Sequence, residues 1–135
     1  MTKADLAAGA KLIIRERLLT HGDQHAESGF VVNLNGEDSS ANVISRSVAK
    51  NNSTQVFNAE INGNAKCAGH SECDAIIMDH AKISAIPKIV ANDIDAALIH
   101  EAAIGKIAGE QLIKLMTLGL TEQEAEAQIV NGFLK

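Results

Sequence analysis

Five side chains in the second half of this chain bear on metal or thiol chemistry: Cys67, His70, Cys73, His100 and Glu101. A thiolate is a soft ligand, an imidazole a borderline one and a carboxylate a hard one, so together they can serve a transition metal. The run Cys67-Ala68-Gly69-His70-Ser71-Glu72-Cys73 reads C-x2-H-x2-C, which is ligand-like spacing. If that run is extended, six residues at about 3.3 Å each hold the thiols roughly 20 Å apart, too far for one ion. Gly69 allows a tight turn that would close the gap, but two cysteines and one histidine fall short of the closed set of structural zinc. Each residue also has a plain structural reading. Free cysteine is among the most buried residue types, so Cys73 can be a small core hydrophobe. His100 beside Glu101 is either a ring oriented for a metal or a solvated strand end. His21, His25 and His80 have no partner pattern and read as surface residues.

The elements that must position these groups are short and extended. Between Lys11 and Leu18, Leu12, Ile14 and Leu18 fall on one side and Ile13, Arg15 and Arg17 on the other, the alternation of a strand. Phe30-Val31-Val32-Asn33-Leu34 alternates likewise, and Asn35-Gly36 then reads as a turn. Val43-Ile44, Val56-Phe57, Cys73 to Met78, Ile83 to Ile86, Lys88 to Ala91 and Ile94 to Ile99 are further expected strands. Segments at a rhythm of about a dozen residues with polar corners predict an all-β body, as a sandwich or a solenoid. Ala75-Ile76-Ile77-Met78 is apolar on both faces and requires cover on both sides. The chain then changes period. Leu112, Leu115 and Met116 form one stripe of a helix that Gly119 ends, and Thr121-Glu122-Gln123-Glu124 is a capping box opening a second helix with Ala125, Ile129 and Phe133 on one face.

Composition narrows the class. The chain has 135 residues, enough for one domain with a modest core. It holds three Phe and no Tyr or Trp, so the core must be filled by small aliphatic side chains in tight layers. A net charge of −5 with scattered basic residues argues against nucleic acid as a partner. The N-terminus lacks a secretory pattern and no window reaches the length of a membrane span, so no membrane role is expected. Two cysteines without an export signal are expected as reduced thiols in the cytoplasm. Phosphate loops, HExxH and nucleophile elbows are missing, which argues against an enzyme.

The stretch HEAAIGKIAGEQL, the Gly119-Leu120 turn and TEQEAEAQIVNGFL resemble the C-terminal end of the SufB/SufD family, cytoplasmic scaffolds on which iron–sulfur clusters are built. The resemblance covers roughly Thr54 to Lys135 and thins toward the N-terminus. It implies a mainly β fold: a short right-handed parallel β-helix over residues 1–104 and a two-helix tail over 105–135, forming one compact unit. It aligns Cys73 with a family cysteine linked to the nascent cluster, His100 with the cluster-linked histidine of the HEA motif, and Glu101 with its acidic neighbour. Ile99 stands where SufB has a further glutamate, which removes one hard ligand. The resemblance also implies docking of a SufC-type ABC ATPase and other SUF components on the tail. Leu112, Leu115, Met116, Ile129 and Phe133 are then partner-facing, or else they pack on the β-body.

Family members are far longer, so the chain is either a natural short relative or a truncated product. A short coil exposes strand edges, which predicts a homodimer. A transient cluster would draw ligands from two subunits, since one offers about two of the four it needs. The competing expectations are a metal-free module that binds the ATPase, and a small metal carrier using Cys67, His70 and Cys73.

Overall fold

Alternation of inward apolar and outward polar residues runs through most of the chain, and in the computed structural model, which describes Met1–Lys135, it becomes eight strands followed by two helices. The strands are β1 (Thr2–Leu6), β2 (Lys11–Thr20), β3 (His25–Leu34), β4 (Ser39–Ala49), β5 (Thr54–Gly63), β6 (Cys67–Ile77), β7 (Lys82–Ala91) and β8 (Ala96–Gly105). The helices are α1 (Gly109–Thr117) and α2 (Glu122–Phe133). Odd strands form one parallel sheet in the order β1-β3-β5-β7 and even strands a second in the order β2-β4-β6-β8. The result is a parallel β-solenoid of about four turns, each turn giving one strand to each sheet.

The corners explain why the chain coils. Gly22, Asn51 and Asp79 each have positive φ, near 57–58°, and they succeed one another at 29 and 28 residues. Only glycine, asparagine and aspartate visit that region at low cost, and here the side chains also bond the coil before them. Gly22 N–H donates to Asn51 Oδ1 at 2.9 Å, and Asn51 N–H donates to Asp79 Oδ2 at 2.9 Å. A second ladder climbs the other side, with Asn64 Nδ2 donating to Asn35 Oδ1 and Asn92 Nδ2 to Asn64 Oδ1, both at 2.7 Å. Neighbouring coils approach closely at Gly36, where an added Cβ would lie 1.9 Å from the Ala8 backbone nitrogen.

The core lies between the sheets. Val32, Leu34, Val43, Val48 and Ile61 are fully sealed, and Phe30 and Phe57 meet at 6.1 Å between ring centroids. One end of the interior is polar instead. Gln55 Nε2 donates to Thr20 Oγ1 at 2.8 Å and to the Val48 carbonyl at 3.0 Å, while Thr20 donates to Ser53 at 2.9 Å. These bonds remove the penalty that bare buried polar groups would carry.

Strand boundaries differ from the expectation at four places. Ile83–Ile86 and Lys88–Ala91 are one strand, β7, which continues through Pro87. That strand is the free edge of its sheet, where a missing N–H is tolerated. Cys73 does not open a strand, since β6 already starts at Cys67; likewise His100 and Glu101 sit inside β8 rather than at its close. Thr2–Leu6, too short for its alternation to register, is a strand held by pairing with β3. The two helices follow the pattern: Thr121 accepts from Glu124 N–H at 3.2 Å and Glu124 accepts from Thr121 N–H at 2.9 Å, and Gly119 (φ 98°) follows the end of α1.

Candidate functional site

Strands β6 and β8 are hydrogen-bonded neighbours, so their residues form columns across the sheet: Gly69 beside Leu98, Ser71 beside His100, Cys73 beside Ala102 on one face, and His70 beside Ile99, Glu72 beside Glu101 on the other. Side chains alternate faces along a strand. The first face points into the coil, as the burial of Gly69, Ser71, Cys73 and Ala75 on β6 shows. Cys73 and His100 therefore share the inward face, one column apart on adjacent strands. A strand spacing of about 4.8 Å and a two-residue rise of about 6.6 Å put their Cα atoms on the order of 8 Å apart. His100 is exposed because β8 is the last strand of its sheet.

Cys73 itself is sealed, at 3% exposure. Its column runs Glu16, Ser45, Cys73, Ala102. Glu16 Oε1 accepts from Ser45 Oγ at 2.8 Å and from Ser28 Oγ at 3.1 Å, so a carboxylate lies within the interior near the thiol. Burial first, then the Asp74 and Glu16 carboxylates, push the Cys73 thiol up to about 11. At neutral pH it is protonated, and a thiol ligates or attacks only as thiolate. Cys67 is buried as well, its thiol also raised by burial.

Glu101 lies on the opposite, outward face from His100. There His70 Nε2 stands 3.4 Å from Glu101 Oε2, and Glu72 is the register partner of Glu101. The ligand atoms of His70, Glu72 and Glu101 all lie within 4.8 Å of one another. A hydrogen bond shared with the Asp74 carboxyl, followed by burial, raises the Glu72 carboxyl. The fold thus sorts the expected ligands into two groups: Cys73 with His100 inside, Glu101 with His70 outside. Cys67, His70 and Cys73 occupy one continuous strand with no turn at Gly69, and His70 faces away from both thiols, so this trio cannot close on one ion. His21, His25 and His80 are exposed.

Residue types alone could not reveal Glu72 as a neighbour of Glu101. The signal was the repeat: Asn35, Asn64 and Asn92 recur at 29 and 28 residues, and the same step carries Glu72 to Glu101 and His70 to Ile99.

In the tail, Leu112, Leu115, Ile129 and Phe133 are half-buried and Met116 is exposed at 43%. Phe133 lines a shallow cavity together with Ile76 and Ile104. Ala125 and Val130 are the buried residues of α2. Ile113 and Leu118 add to the exposed apolar surface of this region, at 63% and 79%. No helix is long and apolar enough to cross a membrane.

Comparison with known proteins places this geometry. Residues 3–133 match the SufBD core domain of SUF system FeS cluster assembly. An iron-sulfur cluster assembly SufBD family protein of Methanothermobacter thermautotrophicus is 35% identical over 127 residues, covering 93% of this chain and 31% of that protein. Similar proteins, described in the same words, occur in Methanocaldococcus jannaschii (41% over 105 residues, 77% of this chain, 33% of the relative) and Pyrococcus horikoshii (38% over 120 residues, 87% and 27%). The chain belongs to the SufBD family of iron–sulfur cluster assembly proteins. It spans about a third of the length of the curated relatives it matches.

Proposed function

We propose that this domain is a half-site scaffold for nascent iron–sulfur clusters, in which Cys73 and His100 offer one thiolate and one imidazole and a second subunit supplies the remaining ligands. The observation that carries the reading is their position in adjacent columns of the inward face, at the end of the solenoid where no further strand covers β8. A cluster is the cargo here, and one chain of this kind cannot complete its set of about four ligands. The unpaired edges of β7 and β8 offer a surface along which a second chain can join, and a homodimer is the simplest pairing. Ligation requires the Cys73 proton to leave, and an approaching metal lowers the cost of that step. The domain itself performs no catalysis in this account. It works in the cytoplasm with a SufC-type ABC ATPase and other SUF components, which dock on the tail around Leu112, Leu115, Met116, Ile129 and Phe133.

A second reading is favoured by one observation, the 3% exposure of Cys73. In it the domain holds no metal and serves as an interaction module for the ATPase. Anaerobic reconstitution with ferrous iron and sulfide separates the two. The chain has no Tyr or Trp, so cluster absorption stands on a low background. The scaffold reading expects a brown species in wild type that Cys73→Ala and His100→Ala each lose. A colourless wild type that still retains the ATPase in a pull-down selects the interaction module.

A further inference from the structure

The outward face of the same strand pair carries a second group of ligands, distinct from the inward thiol and imidazole. We infer that His70, Glu72 and Glu101 form a binding site for one divalent first-row transition metal ion, with His70 Nε2 and one oxygen from each carboxylate as ligands. The three ligand atoms lie within 4.8 Å of one another, a span that small side-chain adjustments close around a single ion. One imidazole nitrogen and two carboxylate oxygens on one side of an ion leave its remaining positions to water, a set suited to borderline divalent metals.

A further contact, from outside the trio, points the same way. His70 Nδ1 lies 2.9 Å from Asn42 Oδ1 on the neighbouring strand β4. That oxygen only accepts, so the ring donates to it from Nδ1, and Nε2, 3.4 Å from Glu101 Oε2, is the nitrogen left to a metal ion, which would take the place of a proton shared with that carboxylate. A ring whose far nitrogen is held by an acceptor is the usual support for a metal-bound histidine, because it fixes both tautomer and orientation. The backbone supplies the rest of the preorganisation. Glu72 and Glu101 are register partners on adjacent paired strands, and His70 is two residues from Glu72 on the same face. No thiol joins this set: both cysteines point into the coil. Ferrous iron is the ion of this class that cluster assembly consumes, and that identification alone rests on the proposed function; the site does not.

Cobalt(II) is the probe. Titrated into the full chain, it is expected to bind with one equivalent per chain and to show weak visible d–d bands without a thiolate charge-transfer band. His70→Ala, Glu72→Gln and Glu101→Gln should each abolish that saturable binding. Asn42→Ala, which removes the support and no ligand, should weaken it about 10–100-fold. Cys73→Ala and His100→Ala should bind cobalt as wild type does while losing cluster colour, so this site and the scaffold fail independently. The outer-face residues are partly solvated, and far-ultraviolet circular dichroism checks that each variant is folded. Wild-type binding that persists unchanged in the folded His70→Ala variant overturns the inference. So does a folded wild type that takes up no cobalt, or a charge-transfer band that depends on Cys73.

Discussion

At position 73 burial and reactivity oppose each other. The sulfur is sealed in the column it shares with Ser45, Ala102 and Glu16, and the Asp74 and Glu16 carboxylates add to the effect of desolvation. The folded state therefore holds the thiol proton more tightly than the unfolded chain does. The unfolded chain loses that proton first as pH rises, so the contribution to stability is whole below the ordinary thiol value of 9.0 and is lost on the way to about 11. Urea unfolding of wild type should show a midpoint that falls across that window, by an amount worth up to about 3 kcal/mol for this group. Cys73→Ala should show a shallower fall, the remainder coming from Cys67, whose thiol is raised in the same direction. Both thiols should resist a disulfide reagent in the native protein at neutral pH and react fully once unfolded. Rapid native labelling of Cys73 would show that the coil opens there far more often than its burial implies.

At the scale of elements, the corners and the caps determine whether the coil closes. Gly36→Ala places a Cβ against the Ala8 backbone, where nothing flexible can yield, and should destabilise by about 3 kcal/mol or more, read as a drop in Tm. Thr121→Ala removes one half of the capping box and should cost only about 1 kcal/mol, seen as lost helicity in the tail. These elements also mark what the sequence disclosed. The capping box, the stripe of α1 and the alternation in β2 and β3 are local patterns, and each is visible in a window of a few residues. Cys73 and His100 were legible as candidate ligands, and the resemblance of the last half of the chain gave the fold. The partition of ligands between two faces was not legible from residue types, because it depends on which strands are adjacent. The step of 28 or 29 residues held that information in a handful of asparagines, glycines and aspartates, too few to stand out. Pro87 misled for a local reason: inside a strand it signals a break, unless the strand is an edge.

At the scale of the whole molecule, the solenoid closes on open strand edges. Its last turn leaves the edges of β7 and β8 unpaired and leaves Ile86, Ile94 and Ile99 exposed at 55%, 98% and 59%. Apolar surface beside open strand edges is what a second chain covers, so self-association at micromolar concentration is expected in sedimentation. The same end carries His100, one strand beyond Cys73, so the proposed scaffold ties assembly to ligation, each chain offering two of the about four ligands a cluster needs. Native mass spectrometry of the anaerobically reconstituted protein tests that link most directly. The account predicts a species of two chains and one cluster in wild type, and no cluster-bearing species in Cys73→Ala. A single chain carrying a complete cluster, or a cluster-bearing pair that survives the loss of the Cys73 sulfur, would contradict it.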